Sequence, residues 1–176
     1  MRSALSAAVL AGAIAAACAS DAHAHVTANP NEAHAGGYFR TALRVGHGCS
    51  GAATTAVRVK IPDGVHSVRP QAKPGWSIEI RMRKLDKPAE VGHGRTVTEA
   101  VDEIAWRGGP LADAHFDEFG LSMRLPAEAP QTLYFPVVQE CESGVHRWIE
   151  IPEGGQKWDD LKQPAPYLRL HPPKSD

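Results

Sequence analysis

Thr55-Ala56-Val57-Arg58-Val59-Lys60-Ile61, with Pro62-Asp63-Gly64 directly after it, decides the fold. Val57, Val59 and Ile61 fall on one face and Arg58 and Lys60 on the other, the period of two that marks a half-buried strand. Pro62-Asp63-Gly64 then supplies turn chemistry: a preset φ, a side chain that bonds its own backbone, and a residue tolerant of positive φ. The same grammar recurs on both sides. Residues 38–45 and 76–82 alternate in the same way, the second run introduced by Pro74-Gly75, and further runs lie at 96–106, 116–125, 132–139 and 145–151. Pro136 inside one of them predicts an edge position or a bulge, because proline cannot donate to a ladder. The 16 Gly and 14 Pro are scattered over 176 residues, and no helix-length window carries a 3.6-residue period, so long helices are disfavoured. The expected architecture is all-β: an antiparallel immunoglobulin-like or cupredoxin-like β-sandwich of about seven to nine strands. Residues 84–95 read as an exposed loop. Residues 156–176 read as a polar, Pro-rich tail, which leaves one domain over 25–155.

Charge excludes one class of function. Lys plus Arg number 19 and Asp plus Glu 20, a net charge of −1, so no bulk field draws in nucleic acid or an anionic membrane. The first 24 residues read as an address. Arg2 gives a basic start, residues 4–17 an apolar run, and Ala22-His23-Ala24 a small-x-small site predicting cleavage after Ala24. The run is shorter than the ~20 residues of a membrane span. Ala15-Ala16-Ala17-Cys18 is a poor lipidation box, lacking a branched apolar residue three places before the cysteine. The expectation is a periplasmic or secreted protein beginning at His25, with no transmembrane span. Cys49 and Cys141 then remain, and an isolated pair in an oxidising compartment is most simply a disulfide. Closing a loop of about 90 residues stabilises by roughly 4 to 5 kcal/mol on the chain-entropy model.

The chain lacks HExxH, a Cys-His pair of zinc-site spacing, a GxSxG elbow, a P-loop and a dinucleotide fingerprint. Of the nine histidines, His66, His93, His115 and His171 sit in turn-like or loop-like surroundings. His25 differs for a reason that exists only after cleavage: an N-terminal histidine offers its α-amine and its ring Nδ1 to one metal. Both nitrogens deprotonate near neutrality, with reference pKa values of about 7.7–8.0 and about 6.5. Two nitrogen donors suit Cu(II), which heads the divalent affinity order. If Pro30 turns the chain after a short strand, Glu32 can return a carboxylate to the same ion. The other reading of His25 is that cleavage simply ends there.

The octad His25-Val26-Thr27-Ala28-Asn29-Pro30-Asn31-Glu32 resembles the mature start of the YcnI-like copper-binding family. The similarity continues through Gly37-Tyr38, the run from Thr55 to Val65, Pro74-Gly75-Trp76, Tyr134-Phe135-Pro136-Val137-Val138-Gln139 and Trp148-Ile149-Glu150-Ile151-Pro152. The resemblance implies an exported all-β domain holding Cu(II) through His25 and Glu32, with Trp148 beside the metal. Arg147 stands where some members have Glu, a charge change next to that tryptophan. Trp148 also has a packing explanation, since a tryptophan in an alternating strand more often fills a core; Trp76 and Trp106 are read as packing. His34 and His146 are the nearest candidates for one more nitrogen.

The expected function is therefore Cu(II) binding in copper homeostasis or delivery, in exchange with copper-handling proteins of the cell envelope, and not catalysis. With both cysteines paired and only Met82 and Met123 left, a sulfur-built Cu(I) site is not expected. Two rivals stand beside it. A copper-dependent polysaccharide monooxygenase would need a second histidine on the same ion, and an immunoglobulin-like interaction module would need no metal.

Overall fold

A computed structural model describes residues 25–174 apart from 93 and 130. The expectations for the leader at 1–24, for Cys18 and for His93 lie outside the described residues. The described chain is all-β, with twelve strands and a single 3₁₀ turn at Trp158–Asp160. Strands β1 (Thr27–Asn29), β3 (Tyr38–Val45), β8 (Asp117–Arg124) and β5 (His66–Pro70) form one sheet in the order β1-β3-β8-β5. Strands β11 (Val145–Trp148), β10 (Val137–Cys141), β4 (Thr54–Lys60), β7 (Thr96–Leu111) and β6 (Trp76–Glu90) form a second, in that order. A third joins β2 (Glu32–His34), β12 (Tyr167–His171) and β9 (Gln131–Tyr134), with β2 parallel to β12.

The alternation in the sequence becomes the core. Val57, Val59 and Ile61 are buried on the face expected, and Leu43, Phe119, Leu121, Ile104, Trp106, Leu168 and Leu170 share one apolar cluster with them. Each such side chain removed from water contributes about 1.5–3 kcal/mol. The turn after β4 needs its glycine: Gly64 sits at φ 79°, in the left-handed region. Trp106 and Trp76 pack as read, the first fully buried and the second partly buried on the cluster. Among the described residues no helix is long and apolar enough to cross a membrane.

Four expectations change. Twelve strands replace seven to nine because β1 and β2, three residues each, are too short to show a period, the run at 132–139 divides into β9 and β10, and β5 and β12 lie in stretches read as loop and tail. Residues 84–90 belong to β6, paired with β7 through Ala89–Val97 and Glu90–Thr96, and not to a loop. Earlier in the same edge strand, Ile80 and Met82 alternate correctly yet stay 49% exposed. Pro136 marks the passage between β9 and β10, where the chain leaves the three-stranded sheet for the five-stranded one. Residues 156–174 are no appendage, since β12 lies between β2 and β9 and buries Leu168 and Leu170 completely. The disulfide joins Cys49 to Cys141 as read, across a sequence separation of 92.

Candidate metal centre

His25 enters the fold one residue ahead of Val26, which is buried, and two ahead of β1, which pairs with β3 through Thr27–Arg44. Val26 and Ala28 point into the core, so alternation turns His25 and Thr27 the other way. There the imidazole meets two indoles edge to face, with ring centroids 5.7 Å from Trp148 and 5.1 Å from Trp158.

Each indole is held by its own N–H. Trp148, the buried last residue of β11, donates from Nε1 to Gln139 Oε1 at 3.0 Å. Gln139 is buried on β10 and donates from Nε2 to the carbonyl oxygen of His47 at 2.7 Å and to Thr54 Oγ1 at 2.8 Å. Its amide thereby satisfies three groups that would each cost about 1–3 kcal/mol if left unpaired. Trp158, on the 3₁₀ turn, donates from Nε1 to the carbonyl oxygen of Ala165 at 2.7 Å and leans on Tyr167 at 5.6 Å. Two fixed aromatic walls thus flank the first imidazole of the domain.

Glu32 is placed differently. It lies on β2 beside β12, its Oε1 3.4 Å from Arg169 Nη1 and its Oε2 3.3 Å from His171 Nε2. Both contacts are long and exposed, and a surface pair of this kind contributes about 0–1 kcal/mol, so little holds the carboxylate there. An open cleft of about 650 Å³ runs along the same stretch, lined by Glu32, His34, Tyr38, Phe39 and Lys174 among others. The structure therefore brings His25 and Trp148 together, while Glu32 is turned to Arg169 and His171. Among the described residues, no group of three or more His, Cys, Asp or Glu is arranged to hold a metal ion.

The two extra-nitrogen candidates part company. His34 bonds through Nδ1 to the carbonyl oxygen of Pro172 at 2.7 Å and faces His171, rings 6.0 Å apart. His146 instead lies 5.0 Å from the Trp148 ring. Burial, and then the neighbouring His47, pushes its pKa below the ordinary imidazole value. Arg147 does not place charge beside Trp148. It is exposed and one residue out of phase, so alternation puts it on the opposite face of β11. His66 and His171, read as loop residues, are in strands β5 and β12, while His115 is in an exposed loop.

Sequence reasoning missed Trp158 and His47. Trp158 sits in the stretch read as a tail. His47 stands 5.9 Å from the His146 ring and 6.4 Å from the Trp148 ring, although 99 and 101 positions separate it from them in the chain. No local spacing announces either residue; the Cys49–Cys141 pairing was the available signal for His47, since it ties the segment after β3 to the end of β10.

Residues 25–170 match a family model described as "Domain of unknown function (DUF1775)". A solved structure of an uncharacterised protein from Nocardia farcinica, described as having an immunoglobulin-like fold, is similar over 83% of this chain and 97% of that one. The two share 31% identity with a TM-score of 0.63. A search of curated proteins finds no match.

Proposed function

The chain belongs to the DUF1775 family, which is the family of the YcnI-like proteins, and from that premise we propose that it is an exported Cu(II)-binding protein of copper homeostasis or delivery. Cleavage after Ala24 frees the α-amine of His25, and amine and ring Nδ1 grip Cu(II) as a five-atom bite closed by the ion. Glu32 supplies a carboxylate oxygen by leaving Arg169 and His171, an exchange whose cost is the small one of an exposed pair. Trp148 and Trp158 wall the imidazole and restrict water beside the ion. Copper is cargo here, taken from and passed to other copper-handling proteins of the periplasm or the exterior.

The observation that carries this reading is His25, the first residue of the family match, wedged between two indoles that are each locked by a hydrogen bond. An incidental terminal residue would have no need of so built a setting. The test compares Cu(II) affinity of protein beginning at His25 with protein carrying one added residue before it. The expected loss is at least about 100-fold, near 2.7 kcal/mol; equal affinities would refute the chelate. Glu32→Gln should weaken Cu(II) less, and electron paramagnetic resonance should report two nitrogens plus oxygen. Three coupled nitrogens, with peroxide formed under reductant, would instead support the polysaccharide monooxygenase.

A further inference from the structure

Two histidines that the N-terminal chelate does not use meet beside Trp148. His47 follows β3 and precedes Cys49 by two residues, and His146 is the second residue of β11. Both rings are half-buried, 5.9 Å apart and at 87° to one another.

Their surroundings fix them. His47 Nδ1 is hydrogen-bonded to the carbonyl oxygen of Gly48, which can only accept, so Nδ1 carries the hydrogen and Nε2 keeps its lone pair. A main-chain carbonyl on the second ring nitrogen is the usual means of orienting a ligating histidine. The backbone of His47 is pinned in turn by Gln139 at 2.7 Å and by the disulfide two residues on. His146 lies directly across the ladder from that same Gln139. Gln139 therefore adjoins both residues, its amide holding the His47 main chain and its own main chain pairing with that of His146.

The spacing selects the ion. With metal–nitrogen bonds of about 2 Å, two imidazoles on opposite sides of a cation have centroids about 6 Å apart, and at a tetrahedral angle about 5 Å. The observed 5.9 Å fits the open angle. No group of three His, Cys, Asp or Glu is assembled for a metal among the described residues, which disfavours ions that require four or six protein ligands. Cu(I), a closed-shell ion satisfied by two nitrogens in line, has no such requirement. The sequence leaves only Met82 and Met123 as unpaired sulfur after its leader, too little for a sulfur-built site, and the fold offers imidazole instead.

We infer that His47 and His146 form a second copper site, a two-imidazole clamp for Cu(I), built from residues other than those of the N-terminal site. The clamp goes beyond the N-terminal chelate and stands on its own geometry.

The experiment uses protein with one residue added before His25, so that the amine chelate is blocked. Cu(I) alone is supplied anaerobically in competition with bicinchoninate. One equivalent should bind, and His47→Gln and His146→Gln should each weaken it at least about tenfold. Because His47 neighbours the disulfide, thermal melts of both variants accompany the titration. A second readout needs no substitution: in the parent protein, Cu(I) should shift the ring resonances of His47 and His146 and leave those of His34, His66 and His171 in place. Unchanged affinity in folded His146→Gln, or shifts confined to other histidines, overturns the clamp. Displacement of Cu(I) by equimolar Zn(II) overturns the choice of ion. Loss of His25-dependent Cu(II) binding with Cu(I) binding intact would remove the N-terminal reading alone, and the reverse would remove the clamp alone.

Discussion

Trp106 in β7 and Trp148 in β11 lie in the same five-stranded sheet, both almost out of solvent, both with the indole N–H engaged. Their neighbours differ. Trp106 packs edge to face on Phe119 at 5.5 Å and donates to the main-chain carbonyl of Gln71 at 3.0 Å, an acceptor that no side-chain substitution removes. Trp148 is ringed by the imidazoles of His25, His47 and His146 and donates to a buried side-chain amide. Burial alone does not separate a tryptophan that fills a core from one that builds a site. The chemistry of the surrounding side chains does, and so does whether the polar partner is backbone or a network.

The largest effect should come from the crosslink that anchors only one of the two regions. Replacing Cys49 and Cys141 with serine should cost about 4–5 kcal/mol on the chain-entropy model, read from urea denaturation. Below the unfolding transition, the indole N–H resonance of Trp148 should move while that of Trp106 stays; equal movement of both would erase the distinction. Trp106→Ala should come next, at about 3–5 kcal/mol, with copper stoichiometry per folded molecule unchanged.

The sequence made one of these regions legible and hid most of the other. Period-two alternation in 55–61 and 38–45 predicted the frame around Trp106, because a strand advertises its buried face within its own few residues. The surroundings of Trp148 are built from His25, His47, Gln139 and His146, with Trp158 on His25, brought together by the fold and not by spacing. The resemblance pointed to His25 and Glu32 through the opening octad and to Trp148 through the stretch 148–152, yet it held no trace of Trp158 or of the pairing of His47 with His146. Nor could alternation report that β12 completes the core from a stretch rich in proline, since only two of its five residues, Leu168 and Leu170, are buried.

Gln139→Leu sharpens the contrast at intermediate size. It removes one amide and leaves the Trp148 N–H, the Thr54 hydroxyl and the His47 carbonyl without their present partner. The stability loss should be about 1–3 kcal/mol, smaller than for Trp106→Ala. Metal affinity should nevertheless fall about 10–100-fold, the usual effect of losing a group that orients ligands. Isothermal titration with Cu(II) and anaerobic titration with Cu(I) separate the two sites. Unaltered affinity at both would mean that the glutamine only fills space.

The smallest effect is a pH dependence, and it too divides frame from site. In the frame, His66 on β5 has a buried Nδ1 without a hydrogen-bond partner among the described residues. Burial first, then Arg83 and Arg124, hold its pKa below the ordinary value of 6.5. At the site, His146 is lowered by burial and then by His47. A lowered imidazole pKa means that the unfolded chain binds more protons as pH falls through about 6.5, so stability is present above that value and declines below it. His66→Gln and His146→Gln should each flatten the decline between pH 7.5 and pH 5, measured as the shift in urea midpoint. The neighbours then tell the two apart. Arg83 and Arg124 are permanent cations, so the His66 share should survive any histidine substitution elsewhere. The neighbour of His146 is His47, so His47→Gln should relieve part of the His146 shift and leave that of His66 untouched. Equal responses of both imidazoles to His47→Gln, read by their ring proton resonances, would mean that the two histidines share one environment after all.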